Sequence, residues 1–257
     1  MKIKVLGSGT SHGVPMIGCD CSVCTSTDPK NKRNRPCLLV TTDSGANILI
    51  DTPPELRLMA TRFGIGRIDA VLFTHSHADH IFGLDDLRAY NYLQEAPIPL
   101  YAEENVLADI RRIFDYCFVP TQLGGGKPEL DLHAIRPNEG FQLGGMAILP
   151  LRVLHGKLPI LAFKFGHKAA YVTDVSEIPQ PAWDELKGLD VLLLDAVRRR
   201  PHPTHYHLEK ALEVVAALKP KRAYFIHLSH DYDHAETNET LPEGVELAYD
   251  GQEIDIA

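Results

Sequence analysis

No stretch of this sequence is long and apolar enough to cross a bilayer. The longest apolar runs, such as residues 191–194 and 68–73, fall far short of the roughly 20 residues a spanning helix needs. A secretory leader is not read at the N-terminus either: Met1-Lys2-Ile3-Lys4 runs straight into a strand pattern and a glycine turn instead of a long apolar segment. The expected location is therefore cytoplasmic. An excess of positive charge is also missing. The formal net charge of -8 gives no general attraction to a polyanion, which disfavours a large nucleic-acid surface. Arg198-Arg199-Arg200 is the one candidate for a local basic patch. No fixed-period repeat, low-complexity tract or long linker divides the chain, and 44% hydrophobic content over 257 residues is enough to bury a full core. A single domain over 1–257 is expected.

Short β-type runs recur through both halves, at 2–6, 37–42, 47–50, 70–74, 147–153, 162–165, 169–173, 191–194 and 222–226. Helical spacing is found at 54–63, 82–92, 104–116 and 208–218, the last ending at Lys219-Pro220. Strands lead and helices intervene, an order that predicts sheets packed inside helical layers. The Gly124-Gly125-Gly126 run reads as a flexible loop that either covers a site or merely connects elements.

Thirteen histidines are many for this length, and their clustering carries the chemistry. Thr74-His75-Ser76-His77-Ala78-Asp79-His80 follows an apolar run directly. A loop after a strand can converge three imidazoles and a carboxylate where a regular strand would splay them to opposite faces. Imidazole with carboxylate suits Zn²⁺, Mn²⁺ or Fe²⁺, and four donors on one loop exceed what one open catalytic ion needs. His155, Asp174 and His227 each stand where a strand-like run stops. A lone histidine there is ordinarily solvated or hydrogen-bonded, so their shared placement is the signal.

Five cysteines are an odd number, and three crowd into Cys19-Asp20-Cys21-Ser22-Val23-Cys24. Without a leader, that spacing points to metal more than to disulfides, and three thiolates leave a fourth position open on one Zn²⁺. Cys37 and His230 both qualify for it by sequence; buried reduced cysteines are the plain alternative.

The His-x-His-x-Asp-His loop followed by His, Asp and His resembles the metallo-β-lactamase superfamily over most of the chain. The resemblance implies an αββα sandwich of the α/β class with two catalytic divalent ions, Zn or Mn, at one edge of its sheets. It places His75, His77 and His155 on one ion, Asp79, His80 and His227 on the other, and Asp174 between them. An aspartate at that bridging position points away from the antibiotic-degrading members. The cysteine cluster resembles the PhnP-type phosphoribosyl cyclic phosphodiesterase subgroup, which implies a structural zinc on Cys19, Cys21, Cys24 and His230, so His230 is preferred to Cys37. The likeness extends to Gly7-Ser8-Gly9-Thr10, Gly13-Val14-Pro15, Ile48-Leu49-Ile50-Asp51 and the segment 225–233. It reaches His205 in Thr204-His205-Tyr206-His207-Leu208, the candidate general acid, for which His202 and His207 compete. The segment 198–203 has no confident counterpart in the family.

The expected activity is phosphodiester hydrolysis of a small cyclic or diester phosphate, with a hydroxide bridging the ions attacking phosphorus, Asp79 in the metal set and His205 protonating the departing oxygen. The expected partner is a small phosphoester, with no large nucleic-acid surface and no membrane; a homodimer is compatible with this reading. A lactone or thioester hydrolase would share the metals. A tRNA-processing nuclease would need a basic arm, and a coenzyme-biosynthesis accessory protein would be expected to lack some ligands.

Overall fold

The computed structural model describes residues 1–120 and 126–256, so Gly124 and Gly125 of the glycine run lie outside the described residues. The strands are β1 (Lys2–Gly7), β2 (Cys37–Thr41), β3 (Asn47–Ile50), β4 (Ala70–Leu72), β5 (Ile98–Ala102), β6 (Leu130–Ala134), β7 (Phe141–Leu143), β8 (Met146–His155), β9 (Leu158–Phe165), β10 (Ala169–Val172), β11 (Val191–Asp195), β12 (Arg222–Ile226), β13 (Val245–Leu247) and β14 (Glu253–Asp255). They form two seven-stranded sheets, ordered β14-β1-β2-β3-β4-β5-β6 and β13-β12-β11-β10-β9-β8-β7. Each sheet is antiparallel on one side and parallel on the other: β3 through β6 run parallel in the first, β10 through β13 in the second.

The strand sequences explain the layering. Successive side chains point to opposite faces, so a strand apolar at every position is buried on both. In β11, Val191 and Leu193 enter the core between the sheets, while Leu192 and Leu194 join the outer core. There they meet Ala182 of the helix Gln180–Glu185 and Ala211, Val214 and Leu218 of the helix Leu208–Leu218. The first sheet repeats the scheme. Ile48 and Ile50 face the second sheet, whereas Leu49 packs toward Met59 of the helix Leu56–Phe63 and Val106 and Ile110 of the helix Glu104–Ile113. The result is helix, sheet, sheet, helix, as the sequence pattern and the resemblance led one to expect.

Two expected helices are shorter than their spacing suggested. The run 82–92 divides into a 3₁₀ turn, Leu84–Leu87, and an α-helix, Arg88–Gln94. Gly83 is the cause: its N–H donates to the Thr52 carbonyl at 2.8 Å, and a Cβ there would lie 2.0 Å from the Pro53 carbonyl oxygen. The chain must enter this helix pressed against the 52–53 backbone. The run 104–116 stops at Ile113 and finishes as the 3₁₀ turn Asp115–Cys117. Among the described residues, no helix is long and apolar enough to cross a membrane.

Candidate metal centre

Parallel strands end together, and the site is assembled where they end. Leu194 of β11 pairs with Val172 of β10, and Asp195 pairs with Ile226 of β12, which brings Asp174, Asp195 and His227 to one level. In the first sheet, Ile50 pairs with Leu72, which aligns Asp51 with the start of the histidine loop. Asp51, Asp174 and His227 all adopt left-handed backbone, with φ of 63°, 54° and 60°. Such conformations cost non-glycine residues of order 1–3 kcal/mol each and persist where the surroundings enforce them. Here they turn the chain sharply off the strand and throw three side chains toward one point.

The histidine motif is a loop followed by a helical turn. His75, Ser76 and His77 lie outside any strand or helix, His77 with extended backbone, and Asp79 and His80 lie in the helix Ala78–Ile81. Ser76 Oγ donates to Asp109 Oδ2 at 2.6 Å, which moors the loop to the helix Glu104–Ile113. Asp51, fully buried, accepts from the Thr74 N–H at 2.9 Å, from Thr74 Oγ1 at 2.9 Å and from His80 Nδ1 at 2.8 Å. Its contact with His80 fixes that ring with Nε2 facing the cluster.

Around that point, single ligand atoms of Asp79, His80, Asp174 and His227 all lie within 4.8 Å of one another. His80 Nε2 is 3.4 Å from both Asp79 Oδ2 and Asp174 Oδ2, and His227 Nε2 is 3.2 Å from Asp174 Oδ1. Neither Nε2 makes a hydrogen bond, although both are buried. Buried polar atoms without partners are costly, and donors that face each other without bonding are the arrangement a shared cation would satisfy. The first predicted trio is also brought together. His75 Nε2 lies 2.9 Å from His77 Nδ1, and the His155 ring centroid is 5.3 Å from that of His77. His155 Nδ1 is paired with the Thr204 carbonyl at 2.8 Å, which leaves Nε2 for the site.

The electrostatics agree with a cation-demanding centre. Burial lowers His80, yet the charges of Asp174, Asp79 and Asp51 outweigh it and hold the ring well above its ordinary value. His227, opposed by burial and supported chiefly by Asp174, is pushed up to about 9. Burial raises Asp79 and Asp174, but the positive rings hold both below the usual carboxylate range. His75, His77 and His155 are depressed, first by burial, and so remain neutral ligand nitrogens.

His205 separates from its two rivals. Its Nδ1 is 2.8 Å from Oδ2 of Asp195, and its ring stacks on His227 at 4.8 Å and meets His155 at 4.5 Å. His202 lies one ring farther out, 4.9 Å from His205, and His207 caps the helix Leu208–Leu218 without a side-chain bond. Asp195 had no role in the sequence reading. Its signal was the one shared by Asp174 and His227: a polar residue closing an apolar strand. Burial raises Asp195 and lowers His205 to about 4, so both shifts favour the neutral pair over the ion pair. The proton count is the same in either form, and with two protons on the pair His205 Nε2 carries one.

The cysteine cluster is likewise assembled. Sulfurs of Cys19, Cys21 and Cys24 lie 3.2, 3.5 and 3.5 Å from His230 Nδ1. The Cys24 N–H holds the Cys21 thiol down at about 6, while burial pushes Cys24 up to about 11. Cys37 is elsewhere, buried in β2 with its sulfur against the Asp51 carbonyl. The segment bearing His230 is pinned by buried Arg33, which donates to the carbonyls of Ser229 at 2.8 Å and Tyr232 at 2.7 Å.

Residues 46–228 match the model of the β-lactamase superfamily domain. The chain belongs to the β-lactamase superfamily. Its two-sheet architecture is the metallo-β-lactamase fold, and it is shared at a TM-score of 0.91 with the crystal structure of a new diphosphatase from the PhnP family, 44% identical over 98% of this chain and 96% of that one. The Zn²⁺-bound PqqB from Methylobacterium extorquens, 21% identical with a TM-score of 0.80 over the whole of both chains, shares the fold. Among curated proteins, the octanoyltransferase of Porphyromonas gingivalis is 42% identical over 258 residues, all of this chain but 52% of that protein. The chain thus spans about half the length of that relative. Membership in the superfamily and similarity to a diphosphatase support a hydrolase, and the converging His, Asp and Cys donors are of the kind that hold metal.

Proposed function

We propose that the chain is a two-metal hydrolase that cleaves a P–O bond in a small phosphoester, a cyclic or diester phosphate, with a diphosphate linkage as a close variant of the same bond. The observation that carries this reading is the convergence of Asp79, His80, Asp174 and His227 around unpartnered ring nitrogens, with His205 backed by buried Asp195. His75, His77 and His155 would hold one ion, Asp79, His80 and His227 the other, and Asp174 both; Cys19, Cys21, Cys24 and His230 would hold a structural zinc. Bound divalent ions in the pair supply Lewis-acid charge to a phosphoryl oxygen and make water acidic enough to react at neutral pH.

The remaining steps belong to the chain's own groups. Asp51 keeps His80 aimed inward, and Thr204 does the same for His155 through its carbonyl. His205 holds a proton at Nε2 for the leaving oxygen, and Asp195 keeps the ring in register by bonding Nδ1. Phosphorus chemistry is supported by the likeness to a PhnP-family diphosphatase, and a small substrate by the acidic chain.

A second reading has one observation in its favour: the 42%-identical relative is named an octanoyltransferase, which suggests an acyl ester or thioester. A substrate panel on protein of measured metal content separates them. Bis(p-nitrophenyl) phosphate, small cyclic phosphates and diphosphate diesters should turn over, lose turnover on chelation and regain it with Mn²⁺ or Zn²⁺. Turnover of p-nitrophenyl octanoate alone would move the assignment to acyl substrates. No turnover of any member by fully loaded protein would overturn the hydrolase mechanism for small esters.

A further inference from the structure

His227 and His230 are three residues apart, yet one belongs to the histidine and aspartate cluster and the other to the cysteines. A single stretch of backbone, 227–232, therefore carries a donor for each ligand set. It is held at close intervals. The Leu228 N–H donates to the Ser8 carbonyl at 2.9 Å, the Leu228 carbonyl accepts from the Thr10 N–H at 3.1 Å, and the Ser229 N–H donates to the Val197 carbonyl at 2.9 Å. From the exposed side, Arg199 Nε donates to the Asp231 carbonyl at 3.3 Å. From inside the protein one side chain, Arg33, holds the carbonyls of Ser229 and Tyr232.

Arg33 is 1% exposed, yet among the described residues its guanidinium forms no ion pair. Nη1 donates to the Ser229 carbonyl at 2.8 Å, and Nη2 to the Tyr232 carbonyl at 2.7 Å and to Asn31 Oδ1 at 3.1 Å, while Nε has no partner. Burial lowers the group only to about 10, so it carries its charge at neutral pH. A buried cation without a carboxylate is costly, and an apolar side chain would fill the space without that penalty. What the guanidinium adds is a planar fork that fixes two carbonyls three residues apart. Its neighbours extend the clamp to the cysteines. Lys32 Nζ donates to the Cys24 carbonyl at 3.0 Å, and Asn31 Nδ2 donates to Ser26 Oγ at 3.1 Å and to Asp233 Oδ2 at 2.7 Å. Residues 31–33 thus touch both the cysteine turn and the segment that bears His227 and His230.

We infer that Arg33 is a positioning residue for His227, and that through the backbone it clamps, zinc in the cysteine set and ions in the histidine and aspartate set strengthen each other's binding. The inference rests on the metal assignments of the reading above. His227 has left-handed backbone, with φ of 60°, a conformation that persists where the surroundings enforce it. The enforcement comes from two sides, from Ser8 and Thr10 on Leu228 and from Arg33 on Ser229 and Tyr232. Zinc on His230 removes the remaining freedom at the far end. A ring aimed in advance binds its ion more tightly, and loss of an outer contact to a metal ligand weakens the ion by about 10- to 100-fold. Linkage makes the effect mutual: the factor by which zinc tightens the catalytic ions is the factor by which they tighten zinc.

Mn²⁺ is the probe, because it favours carboxylates and leaves thiolates to zinc. Protein stripped of catalytic ions by a mild chelator, with zinc in the cysteine set verified by metal analysis, is titrated with Mn²⁺, and the free ion is read by electron paramagnetic resonance. Arg33→Lys keeps the charge but cannot fork to both carbonyls, and should weaken Mn²⁺ binding by about tenfold. Zinc-free Cys21→Ala should weaken it by a similar factor. The double variant should lose less than the product of the two factors, because both act on one segment. Leu186→Ala, which lowers Tm from the outer core of the second sheet, should leave Mn²⁺ affinity unchanged. If Arg33→Lys does not fold, Asn31→Ala takes its place: it keeps the guanidinium, removes the acceptor that aims Nη2, and should weaken Mn²⁺ by about threefold, the effect of one hydrogen bond. A lower Tm with unchanged Mn²⁺ affinity in whichever of the two folds would make Arg33 a structural residue only and overturn the inference. Losses that multiply fully in the double variant would overturn the mutual binding. Wild-type protein that binds no Mn²⁺ would overturn the metal assignments and this inference with them, an outcome distinct from tight wild-type binding that Arg33→Lys leaves untouched.

Discussion

His205 and Asp195 act as a unit because each removes an ambiguity from the other. A histidine exposed to water could present either nitrogen; with Nδ1 2.8 Å from a carboxylate that has no solvent access, only Nε2 faces the metal centre. If that proton goes to the leaving oxygen, His205→Ala should lower turnover by about 10² to 10⁴-fold with a poor leaving group. The loss should shrink sharply with p-nitrophenolate, which departs without protonation, and metal content should not change. Asp195→Asn should show the same dependence on leaving group at smaller amplitude, since the ring remains but its tautomer is less firmly held. Equal losses for both leaving groups would make His205 a binding residue instead. His205 was legible only as one of three nearby histidines, because distance to Asp195 is set by register between β11 and its neighbours and no local pattern encodes it. Asp195 itself was lost among 34 acidic residues, although its place at the end of an apolar strand was visible.

Elements position these residues through close backbone contacts, and Gly7 is the clearest case. The register of β1 shifts between Val5 and Gly7, and a Cβ on Gly7 would lie 1.8 Å from the Arg35 carbonyl oxygen. Beyond it, the Ser8 N–H and Oγ bond Asp250 at 2.8 and 2.7 Å, and the Thr10 N–H reaches the Leu228 carbonyl beside His227. The Met59 methyl, 2.8 Å away, could move aside, but the Arg35 backbone could not, so Gly7→Ala should destabilise by about 3 kcal/mol or more, read as a lower denaturation midpoint. Gly18→Ala is the control: its φ is 75° but nothing lies within 4 Å, so it should cost only about 1 kcal/mol. A Gly7→Ala protein no less stable than Gly18→Ala would refute the contact. The core strands and the helix Leu208–Leu218 were legible because burial writes their periodicity into the sequence. β5, whose pattern Pro99 interrupts, the edge strand β6 and the three-residue strands β7, β13 and β14 were not, since a proline masks a strand pattern and an edge or very short strand needs little apolar pattern. The turn at Ala78–Ile81 was read as loop because four residues cannot show a helical period.

At the scale of the whole molecule, the two ligand sets connect parts of the chain that share little else. His75, His77, Asp79 and His80 come from the first sheet, and His155, Asp174 and His227 from the second, so ions in the pair would fasten the sheets together at one edge. The cysteine set instead joins the 19–24 segment to His230, far apart in sequence and outside both sheets. Metal that binds only the folded state stabilises it by mass action, by about 4 kcal/mol at a thousandfold excess over the dissociation constant. The two sets should therefore respond differently. Metal analysis after extensive dialysis should give about three ions per chain, two catalytic and one structural. His77→Ala should lose turnover and catalytic metal yet keep the fold, because it removes one donor from a partly exposed site with other elements still packed. Cys21→Ala should lose the zinc that chelators extract last and fall in Tm, because that zinc's binding energy is folding energy for a segment with only a small apolar cluster of its own, around Val14, Val23 and Cys24. Wild-type thermal stability in zinc-free Cys21→Ala, or one ion or fewer in active protein, would contradict this division of labour.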